Sequence, residues 1–296
     1  MTTKLNLEFY SGEDKYSDGD VEDEILEIVK QTSDFTGVLQ SSDNWAVMYH
    51  LTPVRRSLLE WYEFDKNKTL LEIGGGCGAF SGMFARKLKE VKVVELSRRR
   101  SEIIYNRHKD HDNLEIIVGN LNDITFEGKF DYITLIGVLE YAGKFTSGDT
   151  PYKSFLEKIK EHLNPGGKVI IAIENKFGLK YWAGAHEDHT GRMFDSIEDY
   201  PKFDGVRTFG QHELNELIKS SGFKNIEYFY PMPDYKLPEV IYSDDFLPEI
   251  TNNANYAYPN FDQERSILFN ESLAYQNIIK NKMFPFFANS FLTFVS

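Results

Sequence analysis

From Lys68 onward, short apolar runs alternate with amphipathic stretches, a pattern that predicts a mostly parallel sheet covered by helices. The runs place strands at about 69–73, 91–95, 114–118, 131–136 and 168–173. Helical periodicity fills 79–89, 98–109 and 152–163. The last of these stops at Asn164-Pro165-Gly166-Gly167, where proline and two glycines end a helix and turn the chain into the fifth strand. Downstream, a helix is expected near 211–221, a strand near 225–230, a helix at about 263–281 and a strand at 290–295. A chain that stops inside a strand suggests that the natural protein continues. Ahead of the sheet, an amphipathic helix is read over Val21 to Thr32, and a second from Pro53 to Phe64 with Thr52 as its cap. These two could form a lid, a substrate-side cap or a layer packed on the core.

Composition narrows the class without naming a chemistry. With 41% hydrophobic and 27% charged residues among 296, the chain is ordinary globular material. Its longest purely apolar run, Val169 to Ile173, is far too short to span a bilayer, and the polar N-terminus lacks a signal-peptide pattern. No membrane span is expected, and a cytoplasmic location is the default. The net charge of -13 argues against binding to phosphate backbones, so no nucleic-acid partner is expected. Arg98-Arg99-Arg100 is read as the solvated first turn of a helix. The single cysteine, Cys77, excludes an intramolecular disulfide and a cysteine-based zinc site, and its place among glycines suggests selection for small size.

Candidate chemistry enters at Leu70-Leu71-Glu72-Ile73-Gly74-Gly75-Gly76-Cys77-Gly78, a strand breaking into glycines ahead of a helix expected from Ala79. Glycine permits positive φ and close approach of the backbone to a ligand. Gly74-x-Gly76-x-x-Ala79 fits a relaxed dinucleotide fingerprint, while Gly74-x-Gly76-x-Gly78 after Glu72 fits the loop of methyltransferases that use S-adenosylmethionine. Glu95 ends the second strand, where an acid can accept hydrogen bonds from both hydroxyls of a ribose, which either cofactor offers.

Later landmarks favour one of the two. Val118-Gly119-Asn120-Leu121-Asn122-Asp123 follows the third strand, the fourth strand runs into Ile136-Gly137-Val138-Leu139-Glu140-Tyr141, and the Pro-Gly-Gly turn precedes the fifth. This ordered set resembles the class I S-adenosylmethionine-dependent methyltransferases over residues 68–175. The resemblance implies an α/β fold, a Rossmann-like seven-stranded sheet in the order 3-2-1-4-5-7-6 with its last strand antiparallel, flanked by helices. It also implies a helical cap over 1–65, a cofactor-binding core over 66–230, and an insertion with terminal helix and strand over 231–296. Carried over residue by residue, Glu72, Gly74, Gly76, Gly78 and Gly137 would border the methionine part of S-adenosylmethionine. Glu95 and Leu96 would border the ribose, and Asn120 and Leu121 the adenine. Tyr49 would cover the cofactor. Asn120 stands where the family more often has Asp, and Tyr141 where many small-molecule methyltransferases carry His.

The acceptor side is expected beyond strands four and five, at Gly184-Ala185-His186-Glu187-Asp188-His189-Thr190-Gly191-Arg192. A hydroxyl acceptor must lose a proton, so a general base is sought there. His189 is the first candidate, with Asp188 or Glu187 orienting it, His186 the second and His50 the third. His186 and His189 could in principle ligate a metal, but two histidines without a further ligand do not specify a site, and no metal is expected. Asp131 opens the fourth strand, at the end remote from ligands, and is read as structural. Tyr228 to Pro238 reads equally as a carbohydrate-facing aromatic platform or a packed crossover, and residues 231–262, with five prolines, as a structured excursion. The blocks His186 to Gly191, Val206-Arg207-Thr208-Phe209 and Tyr230 to Pro238 resemble a bacterial methyltransferase family associated with glycosyltransferases of surface polysaccharide assembly. That likeness implies methyl transfer to a saccharide or glycan hydroxyl, with glycosyltransferases as partners. The alternatives kept open are an inactive cofactor-binding assembly module and a nicotinamide-dependent oxidoreductase.

Overall fold

The computed structural model describes all residues except 1, 15, 16, 18, 252–256 and 260–263. Among them are nine strands: Lys4–Asn6 (β1), Thr69–Ile73 (β2), Glu90–Glu95 (β3), Leu114–Val118 (β4), Phe130–Ile136 (β5), Leu163–Glu174 (β6), Ile226–Met232 (β7), Val240–Ser243 (β8) and Ser290–Val295 (β9). They hydrogen-bond in the order β1-β4-β3-β2-β5-β6-β9-β7-β8. The expectation of seven strands and a seven-membered order is therefore corrected: β1 and β8 occupy the two edges. Neither has a long apolar run, and none of their residues is fully buried, so hydrophobic patterning passes over both. β7 runs antiparallel to both β9 and β8.

The chain divides into two units, Met1–Leu135 with Glu161–Val169, and Ile136–Lys160 with Ile170–Ser296. In the first, β1, β4, β3, β2 and β5 form a parallel ladder in which Leu70 lies opposite Val91 and Tyr132. Four of the five residues of β2 are buried, as befits a central parallel strand. Helices Val21–Gln31 (α1), Thr36–Ser41 (α2) and Trp45–Leu51 (α3) precede β2, Ser81–Lys87 (α4) follows it, and Arg98–Arg107 (α5) follows β3. Ile25, Val29, Val47, Leu51, Cys77 and Ile103 make one buried cluster, so the N-terminal helices pack on the core rather than forming a lid. Full burial of a side chain such as Ile25 contributes about 1.5–3 kcal/mol.

Several local expectations shift. Thr52 does cap, accepting from the Val54 N–H, but the element it caps is one 3-10 stretch, Pro53–Leu58, instead of a helix to Phe64. α4 starts at Ser81 and not at Ala79. Asn164 to Gly167 fall inside the long β6. Arg100 is not solvated: its Nε donates to Glu22 at 2.7 Å in a buried pair that ties α5 to α1, whereas Arg98 and Arg99 reach Glu102 and Asp23 nearer the surface. Asp131 accepts from Lys68, from the Thr69 N–H and hydroxyl, and from Asn164, the structural role expected of it.

In the second unit the helices are Ala142–Phe145 (α6), Pro151–Glu161 (α7), Leu179–Trp182 (α8), Gln211–Ser220 (α9), Glu271–Lys280 (α10) and Phe284–Phe287 (α11). The expected helix at 263–281 is thus shorter, and position 263 lies outside the described residues. Ile170 to Glu174 of β6 and all six residues of β9 are buried. Tyr228 and Tyr230 are buried as well. Tyr230 packs its ring edge on Phe284 and Phe291 and donates its hydroxyl to Asp244 at 2.5 Å, so this run is a packed crossover and not a platform.

Candidate active site

At the end of β2 the chain enters Gly74, whose N–H donates to the Val94 carbonyl, and closes a turn from Gly75 to Gly78. Gly76 sits at φ +53°, and a Cβ built there meets nothing within 4 Å, so the loop backbone faces open space. Glu95 fixes the loop from β3. One oxygen accepts from the Gly76 N–H at 2.8 Å and the other from the Ser97 N–H at 3.0 Å. A carboxylate has about four acceptor positions, so capacity remains for a hydroxyl. Glu72 is buried and accepts from the Ser81 hydroxyl at 2.6 Å; burial pushes its carboxyl up to about 8, against that bond and the Arg55 charge. Cys77 points into the core, and burial pushes its thiol up to about 12, which excludes a thiolate nucleophile at neutral pH. Asn120 caps the 3-10 turn Leu121–Asp123, its side-chain oxygen accepting from the Asn122 N–H, and Leu121 is buried.

Arg55 was not anticipated. It is 9% exposed, its guanidinium lies 3.9 Å from the Tyr49 ring centre, and its Nε has no hydrogen-bond partner. Tyr49 therefore supports an arginine through a cation–π contact. An open glycine loop, a ribose-competent carboxylate and a buried arginine with an unmet donor fit a nucleoside that carries a free amino-acid end. His50, on the same helix, is buried with its ring edge against Tyr49.

The second unit holds Gly137 and the predicted catalytic residues. Gly137 donates its N–H to Ala172, and Glu140 follows in the next turn. Asp188 and Glu187 do not orient His189 through its ring. Asp188 accepts from Lys180 at 2.9 Å, Lys236 at 2.7 Å and the Tyr181 hydroxyl at 2.5 Å. Glu187 accepts from the backbone N–H groups of His189 and Thr190 and from the Tyr200 hydroxyl, which shapes the loop. His186 pairs by backbone with Met193 and lies outside the cluster that gathers around His189.

That cluster joins His189, the first candidate from sequence, and Glu140 to Glu174, which the pattern did not mark. His189 Nε2 faces Glu174 Oε2 at 3.5 Å, and Nδ1 lies 3.2 Å from the Tyr141 hydroxyl. Glu174 also binds Lys236, and Lys180 is wholly buried between Asp188 and Asp234, the latter at 2.7 Å. Burial alone would raise the Glu174 carboxyl, yet Lys236 and His189 hold it well below the usual range. Burial likewise opposes a charged imidazole, but Glu174, then Glu140 and Glu187, raise His189 to about 9. Burial and the Glu174 charge push Glu140 up to about 8. At neutral pH His189 is thus a cation and Glu140 a neutral acid, so the expected resting base is already protonated. The signal within reach of sequence was position: Glu174 ends the fifth strand and Glu140 follows the fourth, at the carboxyl ends where open parallel sheets bind ligands.

Residues 49–228 match a family model described as a methyltransferase domain. Ribosomal RNA small subunit methyltransferase A of Mycoplasma mycoides subsp. mycoides SC is 23% identical over 226 residues, covering 74% of this chain and 76% of that protein. Cypemycin N-terminal methyltransferase from Streptomyces sp is 29% identical over 105 residues, 35% of this chain and 41% of its own length. The solved CcbJ methyltransferase from Streptomyces caelestis shares the fold with a TM-score of 0.50 and 13% identity, covering 89% of this chain and 96% of that one. The dinucleotide reading of the glycine run is thereby set aside. With the family model spanning more than half of its length, the chain belongs to the methyltransferase-domain family and is an S-adenosylmethionine-dependent methyltransferase.

Proposed function

We propose that the protein methylates a hydroxyl of a saccharide or glycan precursor. The observation that carries this reading is the buried group Glu140, Glu174 and His189, in which Glu140 Oε2, Glu174 Oε2 and His189 Nε2 lack hydrogen-bond partners. Unmet polar atoms in a buried site favour a ligand rich in hydroxyls. The resemblance to polysaccharide-associated methyltransferases supports a saccharide and glycosyltransferase partners. The net charge of -13 weighs against carrying over the ribosomal RNA named for the Mycoplasma relative.

When bound, S-adenosylmethionine supplies a methyl group on a sulfonium. Arg55 would hold its carboxylate, Glu95 and Leu96 its ribose, and Asn120 and Leu121 its adenine. Transfer forms an oxygen–carbon bond, breaks the sulfur–carbon bond and releases the hydroxyl proton. In-line alignment of this kind contributes about 7–11 kcal/mol. His189 can take the proton only in its neutral form, so turnover through it rises with pH toward about 9.

The test is a mass-spectrometric assay with S-adenosylmethionine and a panel of free and nucleotide-linked saccharides. A saccharide methyl ether is expected, with kcat climbing between pH 7 and 9 and falling in His189→Ala while S-adenosylhomocysteine affinity holds. Tight S-adenosylhomocysteine binding without transfer to any saccharide would overturn the reading in favour of an assembly module.

A further inference from the structure

We propose that Glu140, Glu174 and His189 bind a divalent first-row metal cation of the manganese or zinc type. One ligand atom from each lies within 4.8 Å of the others, little more than the separation of two ligands across an ion held at roughly 2.1 Å. The side chains of Glu174 and His189 are 0% and 8% exposed, and Glu140 is 1% exposed. Each carries a buried atom of ligand type, Oε2, Oε2 and Nε2, without a well-formed hydrogen bond. The 3.5 Å between His189 Nε2 and Glu174 Oε2 is longer than a good hydrogen bond and leaves both free to turn to an ion.

The surroundings suit ligation. Tyr141 stands 3.2 Å from His189 Nδ1, so once the ion displaces the Nε2 proton, Nδ1–H can donate to the phenol oxygen while the Nε2 lone pair meets the metal, the outer contact that ligating histidines use. Lys236 occupies the other oxygen of Glu174, restricting it to single-atom ligation through Oε2, and Asp188 answers the lysine charge at 2.7 Å. Two carboxylates and one imidazole, with no thiolate, exclude a soft-metal site. Three protein ligands leave positions open for water or an acceptor oxygen. The ion's part in catalysis rests on the reading that this cluster receives the acceptor. There it would lower the hydroxyl's pKa and the proton would leave to solvent, so His189 would be a ligand in the metal-loaded protein and the base only in the metal-free one.

The experiment uses the full chain, stripped with EDTA and dialysed, then titrated with Mn2+ while electron paramagnetic resonance follows the free ion. One saturable Mn2+ per chain is expected, displaced by Zn2+, with nitrogen modulation of the bound signal from His189. Glu174→Gln and His189→Ala should each weaken binding about 10–100-fold, and the exposed His212→Ala should leave it unchanged. Absence of saturable binding to the unmodified protein, or of nitrogen modulation, overturns the proposal without need of any variant. Saccharide methylation at full rate in EDTA with no Mn2+ binding overturns this inference alone. Mn2+ binding without saccharide methylation overturns only the proposed acceptor.

Discussion

Arg55 is a case in which one residue's identity outweighs its neighbours' pattern. In sequence it is one of two adjacent arginines, and nothing separates it from Arg56. Folded, it alone is buried, with its guanidinium over the Tyr49 ring and an unmet donor. A charge-assisted bond to a carboxylate is worth about 1.5–3 kcal/mol, so Arg55→Ala should weaken S-adenosylhomocysteine binding roughly 10- to 100-fold by calorimetry. Arg55→Lys should recover only part, because a point charge does not reproduce the fork. Residues that act through the chain's own periodicity were legible: Glu95 and Gly76 sit where strand and loop spacing put them. Glu140, Glu174 and His189 were not legible as a group, since burial and an unmet lone pair arise only once distant segments fold together.

At the scale of elements, the glycine loop separates two needs that look alike in sequence. The alternating Gly74, Gly76 and Gly78 all take positive φ, yet the sterically strictest member is Gly75, where a Cβ would meet Val93 Cγ1 at 2.4 Å and Ile104 Cδ1 at 2.9 Å. A β-branched strand residue cannot swing aside, so Gly75→Ala should cost about 1–3 kcal/mol as overpacking and displace the loop. Denaturant unfolding together with cofactor titration would show both losses; an unchanged midpoint would contradict the packing account. The strands β2 to β5 were legible within a residue or so because each is a short, largely apolar run between polar stretches. The shortened α4 and the 3-10 stretch after Thr52 were not, because helix ends are set by packing as much as by propensity.

For the molecule as a whole, the buried charges set a pH dependence. His189 and Glu140 have folded values raised to about 9 and 8, so their contributions are fully present below their unfolded values and lost as pH rises through those points. Glu174 and Asp188 are shifted the other way, and theirs is lost only in acid. Tm should therefore decline from about pH 5, where Glu140 would ionise in the unfolded chain, to about pH 9. Glu140→Gln, which removes one of the acids forced to ionise, should flatten that decline and raise Tm near pH 8.5, by about 2–4 °C for each kcal/mol regained. Equal slopes in the two proteins would assign the loss elsewhere.

The two edge strands have a consequence of their own. β1 offers three residues, one of them a lysine, and β8 four. Each ends its side of the ladder with little backbone left to template a foreign strand. Behind β1 stands β4, whose Leu114, Ile116, Ile117 and Val118 are buried and β-prone. Residues 4–6 thus cover an apolar strand edge that would otherwise be open to pairing with another chain, and they do so beside the strand that leads into Asn120.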